Sequence, residues 1–153
     1  MIEMRRARTE DAAAVFSLAN DPIVRSVSFA SDPIPFEDHL VWFERRIAEP
    51  GCLFLLFYDG AVLAGQIRFT LSGFDEAELS ISVASDYRGK GLARGMMRQA
   101  LDNMRETRFC KRVLAHVKPD NEASNLFFER CGFSPLPREV RDGKDCNAWV
   151  QEL

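Results

Sequence analysis

The residues of this chain that can do chemistry gather around one stretch, Ile81-Ser-Val-Ala-Ser-Asp-Tyr-Arg-Gly-Lys-Gly-Leu-Ala-Arg94. Gly89 and Gly91 let the backbone turn and approach a ligand closely, while Arg88, Lys90 and Arg94 surround that turn with positive charge. The stretch opens as a strand and continues as an amphipathic helix on Leu92, Met96, Ala100, Leu101 and Met104. The first N–H groups of a helix have no partner inside it, and its dipole adds about half a positive charge there. A strand, a glycine turn and a basic helix start therefore make an anion site that suits a pyrophosphate. The bland alternative is a glycine turn that merely starts a helix.

Two titratable groups lie nearby in the chain. Glu78 shares a strand face with Ser80 and Ser82, opposite Leu79, Ile81 and Val83. It is the favoured proton acceptor, and a solvated surface carboxylate is the alternative. His116 competes for that role as an imidazole that is basic near pH 7. It can equally be a hydrogen-bonded core histidine.

Two phosphate-binding patterns are excluded by spacing. A dinucleotide fingerprint needs a third glycine where Arg94 stands, and the spacing of a Walker loop is absent. Between Ser85 and Arg112 there are eight basic residues against three acidic ones, although the net charge is −3. That balance argues against a nucleic-acid partner and favours a local site for a ligand with several phosphates.

The elements that must position these groups follow from periodicity. Residues 2–7 alternate as a strand, Thr9 offers a cap for a helix over 12–19, and Asn20-Asp21-Pro22 stops it. Residues 20–36 read as a loop with a helical turn near 23–26. A helix follows over 36–48, with Leu40, Phe43 and Ile47 buried and His39 and Trp42 beside them. The apolar run 52–58 predicts a strand covered on both faces, and Asp59-Gly60 a hairpin into a strand over 61–70. Strands over 76–84 and 112–118 flank the central helix. A helix with Ala123, Leu126, Phe127 and Cys131 on its apolar face then ends at Gly132, and Asp142-Gly143 turns between two last strands. The order β-α-α-β-β-β-α-β-α-β-β indicates one α/β domain, residues 1–153, with a mixed sheet between helices.

At 153 residues with 46% hydrophobic content the chain can bury a core without disulfides or metal. The four cysteines show no metal-ligand spacing with His39 or His116, so no metal is expected. No apolar run approaches the ~18 residues of a membrane span, and no signal peptide opens the chain. A cytoplasmic protein with no membrane partner is expected.

The segment Arg88-Gly-Lys-Gly91-Leu-Ala93 matches the R/Q-x-x-G-x-G/A pyrophosphate loop of the GCN5-related N-acetyltransferases. Downstream, Asn121-Glu-Ala-Ser124-Asn-Leu-Phe-Phe128-Glu-Arg-Cys-Gly132-Phe133 resembles the N-x-x-[A/S]-x-x-L-Y-E-x-x-G-F segment of the same superfamily. The resemblance covers essentially the whole chain. It implies a mostly antiparallel sheet of about seven strands flanked by about four helices, working as a monomer or homodimer. More narrowly, Asn20-Asp-Pro, Val24-Arg25, Ser28-Phe29, Ile34, His39 and Trp42-Phe43 resemble the acetyltransferases that modify amino-sugar nucleotides in pseudaminic and related nonulosonic acid pathways.

The resemblance implies transfer of acetyl from acetyl-CoA to a primary amine, with the 4-amino group of a UDP-linked amino-deoxy sugar as acceptor. It places the cofactor against Ile81, Ser82 and Val83, then Arg88, Gly89, Lys90, Gly91, Leu92, Ala93 and Arg94, then Asn121, Ser124, Phe127 and Phe128. A backbone N–H near Val83 is the expected donor to the thioester oxygen. The family's usual tyrosine acid is replaced by Phe128, whose ring is expected against the cofactor arm, so Ser124, Tyr87, water or no group at all is left to protonate the thiolate, with Cys131 a remote alternative. On the acceptor side, Asn20, Arg25, Ser28, Phe29, His39, Trp42 and Phe43 are the candidates, with Arg25 and His39 on a diphosphate and Trp42 or Phe43 on a base. A protein N-terminus or another small amine is the alternative acceptor. A non-catalytic acyl-CoA sensor is the alternative of another class.

Overall fold

The computed structural model describes all 153 residues, and its seven strands form one sheet. In chain order the elements are β1 (Ile2–Arg6), α1 (Ala12–Ala19), α2 (Pro22–Val27), α3 (Phe36–Ala48), β2 (Cys52–Asp59), β3 (Val62–Gly73), β4 (Glu76–Val83), α4 (Leu92–Thr107), β5 (Arg112–Val117), α5 (Glu122–Arg130), β6 (Ser134–Arg141) and β7 (Lys144–Glu152). The sheet order is β1-β2-β3-β4-β5-β7-β6. Every neighbouring pair is antiparallel except β4 and β5.

The two faces of β2 explain the layers. Leu53, Leu55 and Phe57 join Ile67, Phe69, Ala77 and Leu79 under α4, whose Met96, Met97, Ala100, Leu101 and Met104 are buried against them. Phe54 and Leu56, on the other face, pack with Ala12, Val15 and Phe43 beneath α1 and α3. Each Leu, Ile, Val, Phe or Met among them contributes roughly 1.5–3 kcal/mol when removed from water. The unbroken apolar run of β2 is thus the signature of a strand covered twice.

One departure from regular pairing creates the site. β4 and β5 pair from Glu76↔Arg112 to Leu79↔Ala115 and no further, although both strands continue. Beyond that point β5 stays with β7, as far as Val117↔Asn147. Ala84 N–H donates to Ala64 O on the β3 side. Alternation along an antiparallel strand then turns the N–H groups of Ile81 and Val83 toward the opened β5 side.

Four local expectations come out differently. Asn20-Asp21-Pro22 does more than stop α1, because Asp21 caps α2 by accepting from Ile23 and Val24 N–H. Thr9 is not a cap; it opens a 3₁₀ turn, Thr9–Asp11. In place of a cap, buried Asp11 accepts from Arg8 N–H, from both ends of the Arg5 guanidinium and from the Tyr58 hydroxyl. On α3, Phe43 is buried as expected with Leu40 and Ile47 packed partly buried on the same cluster, but His39, read as lying beside that stripe, is buried too. On α5 the anchor is Phe128, packed on Phe127 and Phe133, while Ala123 and Leu126 are exposed. Of the stripe read as core on α5, Ala123 and Leu126 are turned away from it, while Phe127 and Cys131 pack against it partly buried. The closing signal at Gly132 matches the structure: its N–H bonds Glu129 O, and Phe133 N–H reaches back to Phe128 O.

Candidate active site

Two cavities lie on either side of the free end of β4. The first, a cleft of about 280 Å³, opens between the start of α4 and the exposed side of α5. Gly89 and Gly91 adopt φ of +73° and +77°, a left-handed conformation that favours glycine. A Cβ on either would meet nothing within 4 Å, so the space in front of the turn is open. The backbone N–H groups from Gly89 to Arg94 donate to no backbone carbonyl. Free donors at the start of a 16-residue helix suit a pyrophosphate.

Arg88 has a structural task within that turn. Its Nε donates to Val83 O at 3.0 Å and its Nη2 to Asp21 Oδ1 at 3.0 Å, tying the turn to β4 and to the cap of α2. Its Nη1 is buried with no protein partner, a donor that an anion in the cleft would satisfy. This turn thus offers both backbone and side-chain donors, and the residues fit a cofactor pyrophosphate.

The structure brings Val83, Arg88, Gly89, Gly91, Leu92, Ala93, Arg94 and Phe127 to the cleft wall, together with Ala123 and Leu126. Lys90 is exposed outside that wall. Ile81 faces the α4 core, and Phe128 lies inside that core with no place on the cleft. Asn121 and Ser124 serve the start of α5: Asn121 Oδ1 accepts from Ser124 N–H at 3.2 Å, and its Nδ2 donates to Ser124 Oγ at 3.0 Å. Tyr87 borders the cleft, but its hydroxyl donates to Asp59 at 2.7 Å.

The second cavity, about 230 Å³, lies on the polar face of β4. Its floor is Gln66 and Arg68 of β3 with Ser80 and Ser82 of β4, which stand opposite one another in register. Its roof comes from α1, α2, α3 and the connection between the last two. Arg25, Ser28, His39 and Trp42 line it; Asn20, Phe29 and Phe43 do not. Ser82, expected on the cofactor, belongs to this floor, where its hydroxyl accepts from Gln66 Nε2 at 3.1 Å.

Several roof residues are occupied in holding the roof. Arg25 donates to Ala19 O at 2.7 Å, Ala30 O at 3.0 Å and Ser28 Oγ at 3.3 Å. Asn20 pins the following loop through both the carbonyl and the N–H of Ile34. Phe43 is fully buried. His39 is 1% exposed, stacked on Phe43, with Nε2 at 3.2 Å from Ala12 O. Burial pushes its pKa down, so it is a neutral ring donating to that carbonyl.

Glu78 and His116 come together on the same sheet face, with Glu78 Oε1 at 3.0 Å from His116 Nδ1. Neither lines either cavity. Arg141 of β6 forks over both oxygens of Glu78. Burial alone would raise the Glu78 carboxyl, but hydrogen bonds from His116 and Arg141 hold it down to about 2. His116 is raised, mainly by Glu78 and further by Glu139, which faces Nε2 at 3.0 Å; burial and the nearby Arg141 oppose this. Donor atoms of His116, Glu139 and Cys146 fall within 4.8 Å of one another, a geometry that spacing in the sequence did not signal.

Two residues of the second cavity were missed from the sequence, Gln66 and Arg68. A signal existed: both are polar positions, two apart, on one face of a strand whose neighbours Ala64, Gly65, Ile67 and Phe69 are buried.

Comparison with known proteins gives this geometry its setting. Among curated proteins, the L-amino acid N-acyltransferase MnaT of Escherichia coli K12 is 26% identical, over 97% of this chain and 89% of its own. The L-methionine sulfoximine/L-methionine sulfone acetyltransferase of Salmonella typhimurium is 24% identical, over 96% and 88%. Among solved structures, the spermidine N-acetyltransferase of Vibrio cholerae in complex with CoA and spermine superposes with a TM-score of 0.87 at 20% identity, covering 99% of this chain and 95% of that one. The yncA acetyltransferase of Salmonella typhimurium with acetyl-CoA gives 0.82 at 22%, covering 100% and 94%. The model of the acetyltransferase (GNAT) domain matches residues 2–134, so this chain belongs to the GNAT acetyltransferase family.

Proposed function

We propose that this GNAT acetyltransferase transfers acetyl from acetyl-CoA, its cosubstrate, to a primary amine that enters through the second cavity. The observation that carries this reading is the free end of β4, with an anion-binding cleft on one side and a polar cavity on the other. The cleft residues hold the pyrophosphate through the N–H groups of Gly89 to Arg94 and through Arg88 Nη1. The Val83 N–H, turned toward the opening, donates to the thioester oxygen as negative charge develops there. One such donor is worth about 2.7–4 kcal/mol.

The amine must lose a proton to attack, and since His116 lines neither cavity we assign it to receive that proton through a water relay. Glu78 was the sequence-based favourite, but a carboxylate held at about 2 by Arg141 and His116 has little affinity for a proton at neutral pH. Its role is to set the pKa of His116. Protonation of the leaving thiolate falls to water, because Phe128 has no proton to give, the Tyr87 hydroxyl is engaged by Asp59, and Ser124 is part of the α5 cap.

For the acceptor we assign the amino group of a nucleotide-linked amino sugar. The support is the resemblance of residues 20–43, which build much of the roof of the second cavity. At about 230 Å³ the cavity is smaller than the ~300–1,000 Å³ of drug-sized sites, so it takes the amine-bearing ring while the nucleotide lies at the mouth. A second reading, a free α-amino acid, is favoured by the two curated relatives, whose names specify amino-acid-type substrates. Mass spectrometry of reactions with acetyl-CoA and a mixed panel of UDP-4-amino-4,6-dideoxy sugars, L-amino acids, N-terminal peptides and polyamines separates them. Acetylated sugar nucleotide as the dominant product is expected; acetylated amino acid alone would replace the first reading with the second.

A further inference from the structure

Arg68 is the unexplained charge of the second cavity. It stands partly buried in the middle of β3 and makes neither a hydrogen bond nor an ion pair. Its guanidinium lies against two rings packed on one another, 4.8 Å from the centroid of Trp42 and 5.7 Å from that of Phe54. Those rings hold the plane in place and leave its N–H edges unused. Glu78, the acidic group that faces it from β4, is already taken by Arg141 and His116. Burial therefore pushes Arg68 down from its ordinary range with little opposition. A guanidinium stays charged in proteins, so its donors need an anionic partner.

A second observation sits two residues away on the same face. Gln66 donates its Nε2 to Ser82, while its Oε1 is buried with no partner. A buried acceptor left in this state is destabilising until a donor reaches it. One floor thus presents an unsatisfied cation and an unsatisfied acceptor, with Gln66 nearer the free end of β4 where the thioester oxygen is to be held.

We propose that Arg68 and Gln66 form the anchoring subsite for the acceptor. Arg68 binds an anionic group, carboxylate or phosphate, carried by the same molecule as the amine, and Gln66 Oε1 accepts an N–H of that amine. The acceptor class is an amine with an acidic group at a short distance, which excludes simple polyamines. This proposal rests on the reading that the second cavity takes the acceptor.

The test compares matched amines that differ in the acidic group: L-methionine against L-methioninamide, and a UDP-linked 4-amino-4,6-dideoxy sugar against the same sugar without the nucleotide. Wild-type enzyme prefers the anionic member of at least one pair by about 10- to 100-fold in kcat/KM, the range of a charge-assisted hydrogen bond. The pair that shows the preference tells carboxylate from diphosphate. Arg68→Gln removes the preference, mainly through KM, Arg68→Lys restores part of it, and unchanged CoA affinity shows that both variants are folded. Equal use of the neutral member of both pairs overturns the proposal, as does an unchanged preference in Arg68→Gln. If no amine is acetylated, UDP and N-acetyl-L-methionine are titrated calorimetrically into the CoA-saturated protein. Binding that Arg68→Gln abolishes keeps the anion site while the acetyltransferase reading falls. Absence of binding by the wild type overturns the anion site.

Discussion

His116 shows how a residue's surroundings decide its chemistry. Alone it would titrate at an ordinary histidine value, but Glu78 and Glu139 face its two nitrogens and stabilise the cation. Its folded pKa is raised, so the base form exists only at higher pH. If His116 receives the amine proton, kcat/KM rises with pH through a limb above the usual histidine range. Glu78 supplies the largest upward push, and replacing it leaves Arg141 beside the ring with its opposing charge. Glu78→Gln is therefore expected to move that limb to lower pH, read from a pH–rate profile. A limb that stays in place would remove His116 and Glu78 from the proton path.

Residues separate into those that sequence type reveals and those that only geometry reveals. The turn from Arg88 to Arg94 was legible because glycine spacing and basic charge have a mechanism behind them. Phe43, expected against a substrate, is fully buried, and Arg25 both lines the second cavity and holds its roof; neither was legible, for the opposite reason. An aromatic or arginine carries the same letter whether it faces a ligand or holds a loop, and the four hydrogen bonds of Arg25 become visible only once the loop is folded.

At the scale of elements, the seating of α4 on β3 sets where the cleft opens. Gly65 allows that contact. A Cβ there would stand 2.6 Å from Met96 Cε and 2.9 Å from Ser82 O, and the second neighbour is backbone that cannot swing aside. Gly65→Val is expected to destabilise the fold by about 1–3 kcal/mol through overpacking. Differential scanning calorimetry would show a lowered Tm. An unchanged Tm would mean that α4 is free to slide along the sheet, and that its start is not fixed relative to β4.

Element boundaries were the most legible layer. The strand 52–58, the helix 36–48 and the final hairpin at Asp142-Gly143, whose φ values are +52° and +75°, follow from periodicity and turn chemistry. The register of α5 was not legible. Its residues 123, 126 and 127 are apolar at helical spacing, yet they wall an open cleft, because a cofactor-facing stripe and a core stripe have the same pattern. Of α2 only a helical turn near 23–26 was legible, because a proline at the first helical position supports a helix as readily as it stops one.

At the scale of the molecule, the sheet acts as a partition. Apolar burial under α4 on one face and under α1 and α3 on the other fixes β2, β3 and β4. The parting of β5 from β4 after Leu79 opens a passage between the two sides. The sequence showed a mixed sheet and the succession of strands along the chain, not the β1-β2-β3-β4-β5-β7-β6 order within the sheet. It could not show the parting, since both strands alternate without a break and only the pairing of β5 with β7 draws them apart. The Arg88–Asp21 ion pair then links the glycine turn to α2, so the walls of both cavities share one support. No helix is long and apolar enough to cross a membrane.

The central claim is that this passage carries an acetyl group from one cavity to an amine in the other. The most direct measurement is CoA thiol release from acetyl-CoA over many turnovers, with and without the amine panel. The account predicts release that depends on the amine and saturates with it, accompanied by an equal amount of N-acetylated product. Tight acetyl-CoA binding with no amine-dependent release from any acceptor would contradict it, and would leave a protein that holds acyl-CoA without spending it.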